Sequence, residues 1–121
     1  MTKAEFEQLV KETMDAMPAE FRDKIKDIAL IVEDEPRKED LKAAGARKGS
    51  LYGLFHGIAL KDRGFLDVPT MPDRIVLYQN TLERDFRTRE ALAEQIRMTV
   101  LHEVGHFFGL SEKDLRKLGY G

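Results

Sequence analysis

The sequence contains no cysteine among its 121 residues. This absence excludes disulfide bonds, thiolate metal ligands and a cysteine nucleophile, and it fits a reducing compartment. The sequence also has no apolar stretch close to the roughly 20 residues that a membrane-spanning helix needs. Its charged N-terminal segment, MTKAEFEQLVKETMDAMP, has no apolar core of the kind found in secretory signals. We therefore expect a cytoplasmic protein with no membrane partner.

Neither sign of charge dominates the chain, since 20 Lys and Arg residues face 22 Asp and Glu residues. Nucleic-acid-binding domains usually have a basic face, often with interleaved aromatic residues, and this sequence has none. We expect no nucleic-acid partner. Hydrophobic residues make up 42% and charged residues 35%, which is typical of one globular domain with an ordinary core. Residues 1–121 are predicted to form a single domain, and the sequence does not indicate an oligomeric state.

The spacing of apolar and turn-forming residues predicts a mixture of helices and strands. The predicted order is a helix at 4–17, a strand at 28–32, a charged loop at 34–50 with a helical turn at 39–44, strands at 50–60 and 74–79, a helix at 88–108 and a final short helix. Thr2 and Glu5 can form a capping box. Gly53 and Gly57 indicate a bulge or a close backbone approach in the middle strand. This order predicts a small α+β domain whose short mixed sheet is covered by helices.

The long helix at 88–108 changes character along its length. Its apolar stripe consists of Leu92, Ile96, Val100, Val104 and Phe107. From residue 98 onwards, apolar residues spread over most of the circumference, which is typical of a helix buried at that end. Polar residues in this half need partners, because burying an unpaired polar group is costly.

The segment LHEVGHFFGLSE places two histidines in that buried half. His102 and His106 are four residues apart and therefore project from one helix face, where both imidazoles can bind one ion. Glu103 is one step further round the helix and can reach a water on that ion as a general base. An HExxH pattern arises by chance in roughly one chain of this length in a few hundred. The spacing therefore favours a zinc site over a helix that merely contains histidines.

A catalytic zinc ion needs a third protein ligand and one open position. Gly109 can end the helix and turn the chain back towards the histidines, which favours Glu112 as that ligand. Asp114 is the competing candidate. Glu112 also fits a second role, as an acid in the first turn of the short helix, with Ser111 as N-cap and Asp114 as the capping-box partner.

The stretch HEVGHFFGLSE resembles HExxHxxGxx(D/E), the motif of small bacterial zincin-like metallopeptidases, also called minimal zincins. The segments IVEDEP, LYGLFHG, MPDRIVLYQNTLER and EKDLRKLGY resemble the same family. The resemblance implies a zincin-like α+β fold, one Zn²⁺ and hydrolysis of a peptide or protein substrate. Glu112 occupies the position that is a third histidine in the larger metzincins, and no methionine follows the motif to form their Met-turn.

Two functional hypotheses follow from these residues. The first is a zinc metallopeptidase in which Glu103 takes a proton from a zinc-bound water. The alternative is a metal-binding interaction or regulatory domain without catalytic turnover. Glu103 favours the enzyme, because a structural site does not need a general base and usually has four protein ligands.

Two other enzyme classes fit the sequence less well. Peptide deformylases share HExxH but use a cysteine ligand, which this chain lacks. RNA-processing hydrolases with HxxxH use three histidines and have no glutamate after the first.

Two further residues are weaker candidates for the site. His56 could face the cleft and polarise a substrate carbonyl, although a partly exposed strand residue is the simpler interpretation. Tyr120 could donate a hydrogen bond to an oxyanion, or it could serve as a C-terminal apolar anchor. Tyr78 and Thr99 are predicted to pack in the sheet and the helix, respectively.

Overall fold

The computed structural model describes residues 1–46, 49, 51–56, 73–108, 113 and 116. This part of the chain contains five helices and one three-stranded sheet. In chain order they are α1 (Lys3–Asp15), α2 (Ala19–Ile25), β1 (Ala29–Glu33), α3 (Lys38–Ala44), β2 (Gly53–His56), β3 (Arg74–Tyr78), α4 (Gln79–Asp85) and α5 (Arg89–Phe107). The predicted α+β class is confirmed.

The sheet has the strand order β1-β3-β2, so that β3 is its central strand. β1 pairs with β3 in parallel and β2 pairs with β3 antiparallel, which makes the sheet mixed, as predicted. The backbone N–H of Tyr78 donates to the carbonyl of Tyr52 at 2.9 Å. Because such bonds alternate along an antiparallel pair, the N–H groups of Gly53 and Phe55 point away from β3. β2 is an edge strand of the described sheet.

One face of the sheet packs on helices α1 and α5. Ile75 and Leu77 of β3 are fully buried there. The helices contribute their own apolar stripes to the same core: Phe6, Leu9, Val10 and Met14 from α1, and Leu92, Ile96, Val100 and Val104 from α5. The stripe predicted for the long helix is confirmed at these four positions. The side chain of its fifth member, Phe107, is not among those that the structure describes.

The N-terminus of α1 has the predicted capping box. The Thr2 backbone N–H donates to Glu5 Oε1 at 2.9 Å, and the Glu5 N–H donates to Thr2 Oγ1 at 3.1 Å. Two of the orphan N–H groups at the helix start are thereby satisfied.

Two short helices, α2 and α4, are absent from the sequence prediction, and α3 is longer than the single turn expected. Each of the three has seven residues, too few for a clear helical period, and helices of this length depend on tertiary packing. In α2, only Phe21 and Ile25 are buried. The middle strand, predicted at 50–60, is observed at Gly53–His56, and residues 57–60 lie outside the described residues.

None of the helices in the described ranges is both long enough and apolar enough to cross a membrane.

Candidate active site

Helix α5 fixes the positions of the histidine pair. Its first turn is capped by Thr88, whose Oγ1 accepts from the Ala91 backbone N–H at 3.1 Å. The helix continues through Phe107, so His102 and His106 both lie within it. Residues four apart in an α-helix are neighbours on one face, with about 5–6 Å between their Cβ atoms. The predicted helical placement of the pair is therefore observed.

His102 and Glu103 are both half-buried. Glu103 contacts the edge strand, because its Oε1 accepts a hydrogen bond from the Phe55 backbone N–H at 3.2 Å. That N–H is one of the groups of β2 that point away from β3. The contact brings the carboxylate on α5 to the outer edge of β2, which is 48 residues away in the sequence.

Gly53 allows β2 to lie close to α5. A Cβ atom at this position would be 2.7 Å from Cγ2 of Thr99 and 3.0 Å from the carbonyl oxygen of Val76. Any larger residue would therefore force the strand and the helix apart. The close backbone approach predicted for the middle strand is confirmed at Gly53, while Gly57 lies outside the described residues.

A cavity of about 210 Å³ lies beside His102 and Glu103, between α5 and the start of β2. The described residues that line it are Tyr52, Gly53, Gln95, Thr99, His102 and Glu103. Gln95 Nε2 donates to Thr99 Oγ1 at 3.1 Å. Most of the described residues that border the cavity therefore have polar side chains.

Tyr52, on the strand side of the cavity, is held by two contacts. Its hydroxyl donates to Asp85 Oδ2 at 2.6 Å, and its ring meets the Phe86 ring edge-on with centroids 5.4 Å apart. The hydrogen bond to Asp85 raises the pKa of Tyr52, with burial as a further cause. Asp85 in turn accepts from Arg84 at 2.8 Å. The hydrogen bonds from Arg84 and then from Tyr52 hold the pKa of Asp85 well below its usual range.

His56 lies on the other face of the sheet. Phe55, opposite Ile75, packs against the core, and successive strand residues point to opposite faces. The imidazole Nε2 of His56 is 3.9 Å from Asp40 Oδ1. Tyr78 is fully buried and donates from its hydroxyl to Asp40 Oδ2 at 3.3 Å. Burial, with the charge of Asp40 as the next cause, raises the pKa of Tyr78.

Several predicted site residues lie outside the described part of the chain. These are Glu112, its competitor Asp114, the helix-ending Gly109, and Tyr120. Within the described ranges, no group of three His, Asp or Glu side chains is close enough to hold a metal ion. The third ligand therefore stays a prediction from the sequence.

The structure adds three groups to the site that the sequence prediction did not include: the Phe55 backbone N–H, Tyr52 and Gln95. A local signal could have identified Gln95, because it precedes His102 by seven residues and so lies on the same helix face. Thr99, predicted to pack in the helix, is buried and also borders the cavity. Phe55 lies in β2 and Tyr52 directly before it, and no local pattern links that segment to α5.

The chain matches a known protein family over most of its length. The family model for zincin-like metallopeptidases matches residues 25–121, which is more than half of the chain. A comparison with curated proteins gave no match. A metallopeptidase family implies a metal cofactor and peptide or protein substrates. Because the match covers most of the sequence, the chain belongs to the zincin-like metallopeptidase family.

Proposed function

We propose that this protein is a zinc-dependent peptidase in which Glu103 acts as the general base and His102, His106 and Glu112 hold the ion. The observation that carries the proposal is the hydrogen bond between Glu103 and the Phe55 N–H. It places an acid, directly beside a candidate ligand, at the strand edge where a peptide could bind. In the proposed mechanism the base, the metal and the substrate lie side by side, as peptide hydrolysis needs.

The donor set fits zinc. Imidazole nitrogens and a carboxylate oxygen are ordinary zinc ligands, and three protein ligands leave one position open for catalysis. His102 is half-buried, so water reaches only part of its imidazole ring and competes less with a metal ion for the ring nitrogens. Zinc, when bound, would polarise the scissile carbonyl and lower the pKa of water near it.

The edge strand β2 supports a peptide as substrate. Its Gly53 N–H points away from β3 and can pair with an extended chain, as sheet edges do in peptide recognition, while the outward Phe55 N–H holds Glu103. A peptide aligned there would pass along the side of β2 where Glu103 lies. The pairing would orient the scissile bond through backbone hydrogen bonds, whatever its side chains are.

Glu103 has two tasks in this mechanism. Its carboxylate takes a proton from the attacking water and then passes that proton to the leaving amine. The contact with Phe55 N–H limits the rotamers of the side chain and so keeps the carboxylate near the bound peptide.

The test is the substitution Glu103→Gln, with Glu90→Gln as a matched control. Glu90 lies in the first turn of the same helix and is exposed. Glutamine can still accept the Phe55 N–H but cannot take a proton. Peptidase activity of zinc-loaded protein on a broad peptide library should fall roughly 10²-fold or more in Glu103→Gln and stay unchanged in Glu90→Gln. Equal cleavage by the wild type and Glu103→Gln would show that the mechanism is wrong.

The ligand assignment is tested by zinc binding alone. His102→Ala, His106→Ala and Glu112→Ala should each weaken binding in a titration with a chromophoric chelator, and Asp114→Ala should weaken it less. If Glu112→Ala and Asp114→Ala bound zinc with equal affinity, Glu112 would not be a zinc ligand. Full zinc binding without cleavage of any library peptide would favour a metal-binding regulatory domain instead.

A further inference from the structure

The cavity beside His102 and Glu103 has a chemistry that a general peptidase would not require. We propose that it binds a neutral polar side chain of the substrate, that of Asn, Gln, Ser or Thr, and that Gln95 and Thr99 determine this preference. The inference rests on the proposed function, because it assigns a substrate class to the same site.

The size of the cavity fits one side chain. Pockets for whole small-molecule ligands usually measure about 300–1,000 Å³, whereas this one measures about 210 Å³. At about 30 Å³ for each water molecule in the liquid, its volume corresponds to roughly seven waters. A single side chain that projects from a peptide on β2 would fill much of it.

The lining contains hydrogen-bonding side chains that an apolar substrate side chain would leave without partners. Among the described residues that border the cavity, there is no Leu, Ile, Val or Met. The Gln95 amide has two N–H groups and one carbonyl, and its bond to Thr99 Oγ1 uses one N–H group. An apolar side chain would displace water from these groups without replacing its hydrogen bonds, which is unfavourable.

The charge of the lining favours a neutral side chain. Among its described residues there is no Lys or Arg to balance an acid, and the Glu103 carboxylate borders the same space. An Asp or Glu side chain would be repelled by that carboxylate. A Lys or Arg side chain would pair with Glu103 and hinder its role as a base. A carboxamide or hydroxyl can donate and accept with Gln95 and Thr99 without either conflict.

The walls of the cavity are held in place before a substrate arrives. Tyr52 is fixed by Asp85 and Phe86, and Gly53 lies against the methyl group of Thr99. Because few side chains of the cavity must be ordered when a substrate binds, substrates that differ in their hydrogen bonds to the cavity should differ correspondingly in affinity.

The first test needs neither metal nor turnover. N-acetyl N-methylamides of asparagine, leucine, aspartate and lysine are titrated into ¹⁵N-labelled metal-free protein, and the side-chain amide signals of Gln95 are followed. The asparagine probe should shift these signals and bind roughly tenfold more tightly than the leucine probe of similar size. Tighter or equal binding of any of the other three probes would overturn the proposal, and so would an asparagine probe that leaves the Gln95 signals unmoved.

The second test compares Gln95→Met with Gln8→Met. Gln8 is a matched control, because its Nε2 also bonds a residue four positions on, Glu12, on the exposed side of α1. In a library digest, wild type and Gln8→Met should select neutral polar residues next to the cut, and Gln95→Met should lose roughly tenfold of that selectivity. Cleavage with unchanged selectivity in Gln95→Met would overturn the inference and leave the proposed function intact. Absence of cleavage would refute the function, and the probe titration would then decide the inference.

Discussion

Helices α1 and α5 pack on the same core but differ in what they bury. Phe6 of α1 and Ile96 of α5 are both fully buried. The four residues that α1 buries are all apolar, and its polar residues are exposed except Thr13, which is half-buried and bonds its own helix backbone. α5, in contrast, keeps His102 and Glu103 half-buried next to a strand edge. The family match begins at residue 25, so that α1 lies outside the matched segment and α5 inside it.

The difference separates a helix that stabilises the fold from one that, in the proposed function, also positions catalytic residues. Burying an unpaired polar group is costly, and stability alone would favour apolar residues in the C-terminal half of α5. The Glu103 carboxylate is instead accommodated by a backbone N–H of β2. The half-buried polar residues His102 and Glu103 are explained by the proposed function, whereas the buried residues of α1 are explained by packing.

The largest expected effect on stability is in α1. Phe6→Ala should reduce the free energy of unfolding by about 3–5 kcal/mol, because it removes a fully buried ring from the shared core. Urea denaturation followed by circular dichroism measures it. Glu7→Ala, at the neighbouring exposed position, should change stability by no more than about 0.5 kcal/mol. A small effect of Phe6→Ala would mean that α1 does not anchor the core.

Gly53→Ala should give the next largest effect. The added methyl group would meet Thr99 Cγ2 at 2.7 Å, and overpacking of this kind costs about 1–3 kcal/mol. Thr99→Ser removes that Cγ2 atom, so the double variant should recover part of the loss. A double-mutant cycle measured by thermal denaturation tests the coupling. Additive effects would show that the strand and the helix are not in close contact here.

Thr2→Ala should cost about 1 kcal/mol, because it removes the side-chain half of the α1 capping box. Thr13→Ala is the matched control in the same helix. Its hydroxyl donates to the Leu9 carbonyl at 2.7 Å, a bond within the helix that adds little stability. Denaturant midpoints should fall for Thr2→Ala alone, and an equal fall for both variants would argue against the cap.

The smallest effect expected is the pH dependence from Asp85, which is exposed to solvent. Arg84 and Tyr52 lower the pKa of Asp85 in the folded protein, so the carboxylate stabilises the fold above its unfolded pKa of about 3.9. This stabilisation is lost as the pH falls below that value. Asp85→Asn should therefore be less stable than wild type at neutral pH, with the difference shrinking in acid. NMR titration of the carboxyl group checks the direction of the shift.

The sequence predicted the elements whose signals are local and repeated. The capping box of α1 spans four residues, the apolar stripe of α5 repeats every three or four, and β3 has an unbroken apolar run after Arg74. All three are confirmed. α2 and α4 were missed because seven residues with few buried positions give no period. The motif spacing likewise predicted that His102 and His106 share a helix face.

The sequence by itself therefore determined the α+β class, the helix that contains the histidines and the acid beside them. These features depend on hydrogen bonds and side-chain spacing within about four residues. Only the tertiary structure decided that β2 lies at the edge of the described sheet, that Phe55 contacts Glu103, and that Gly53 packs against Thr99. The contacts of Phe55 with Glu103 and of Gly53 with Thr99 join segments that are more than 40 residues apart. They depend on how the sheet pairs and how the core packs, and no local pattern of residues encodes either.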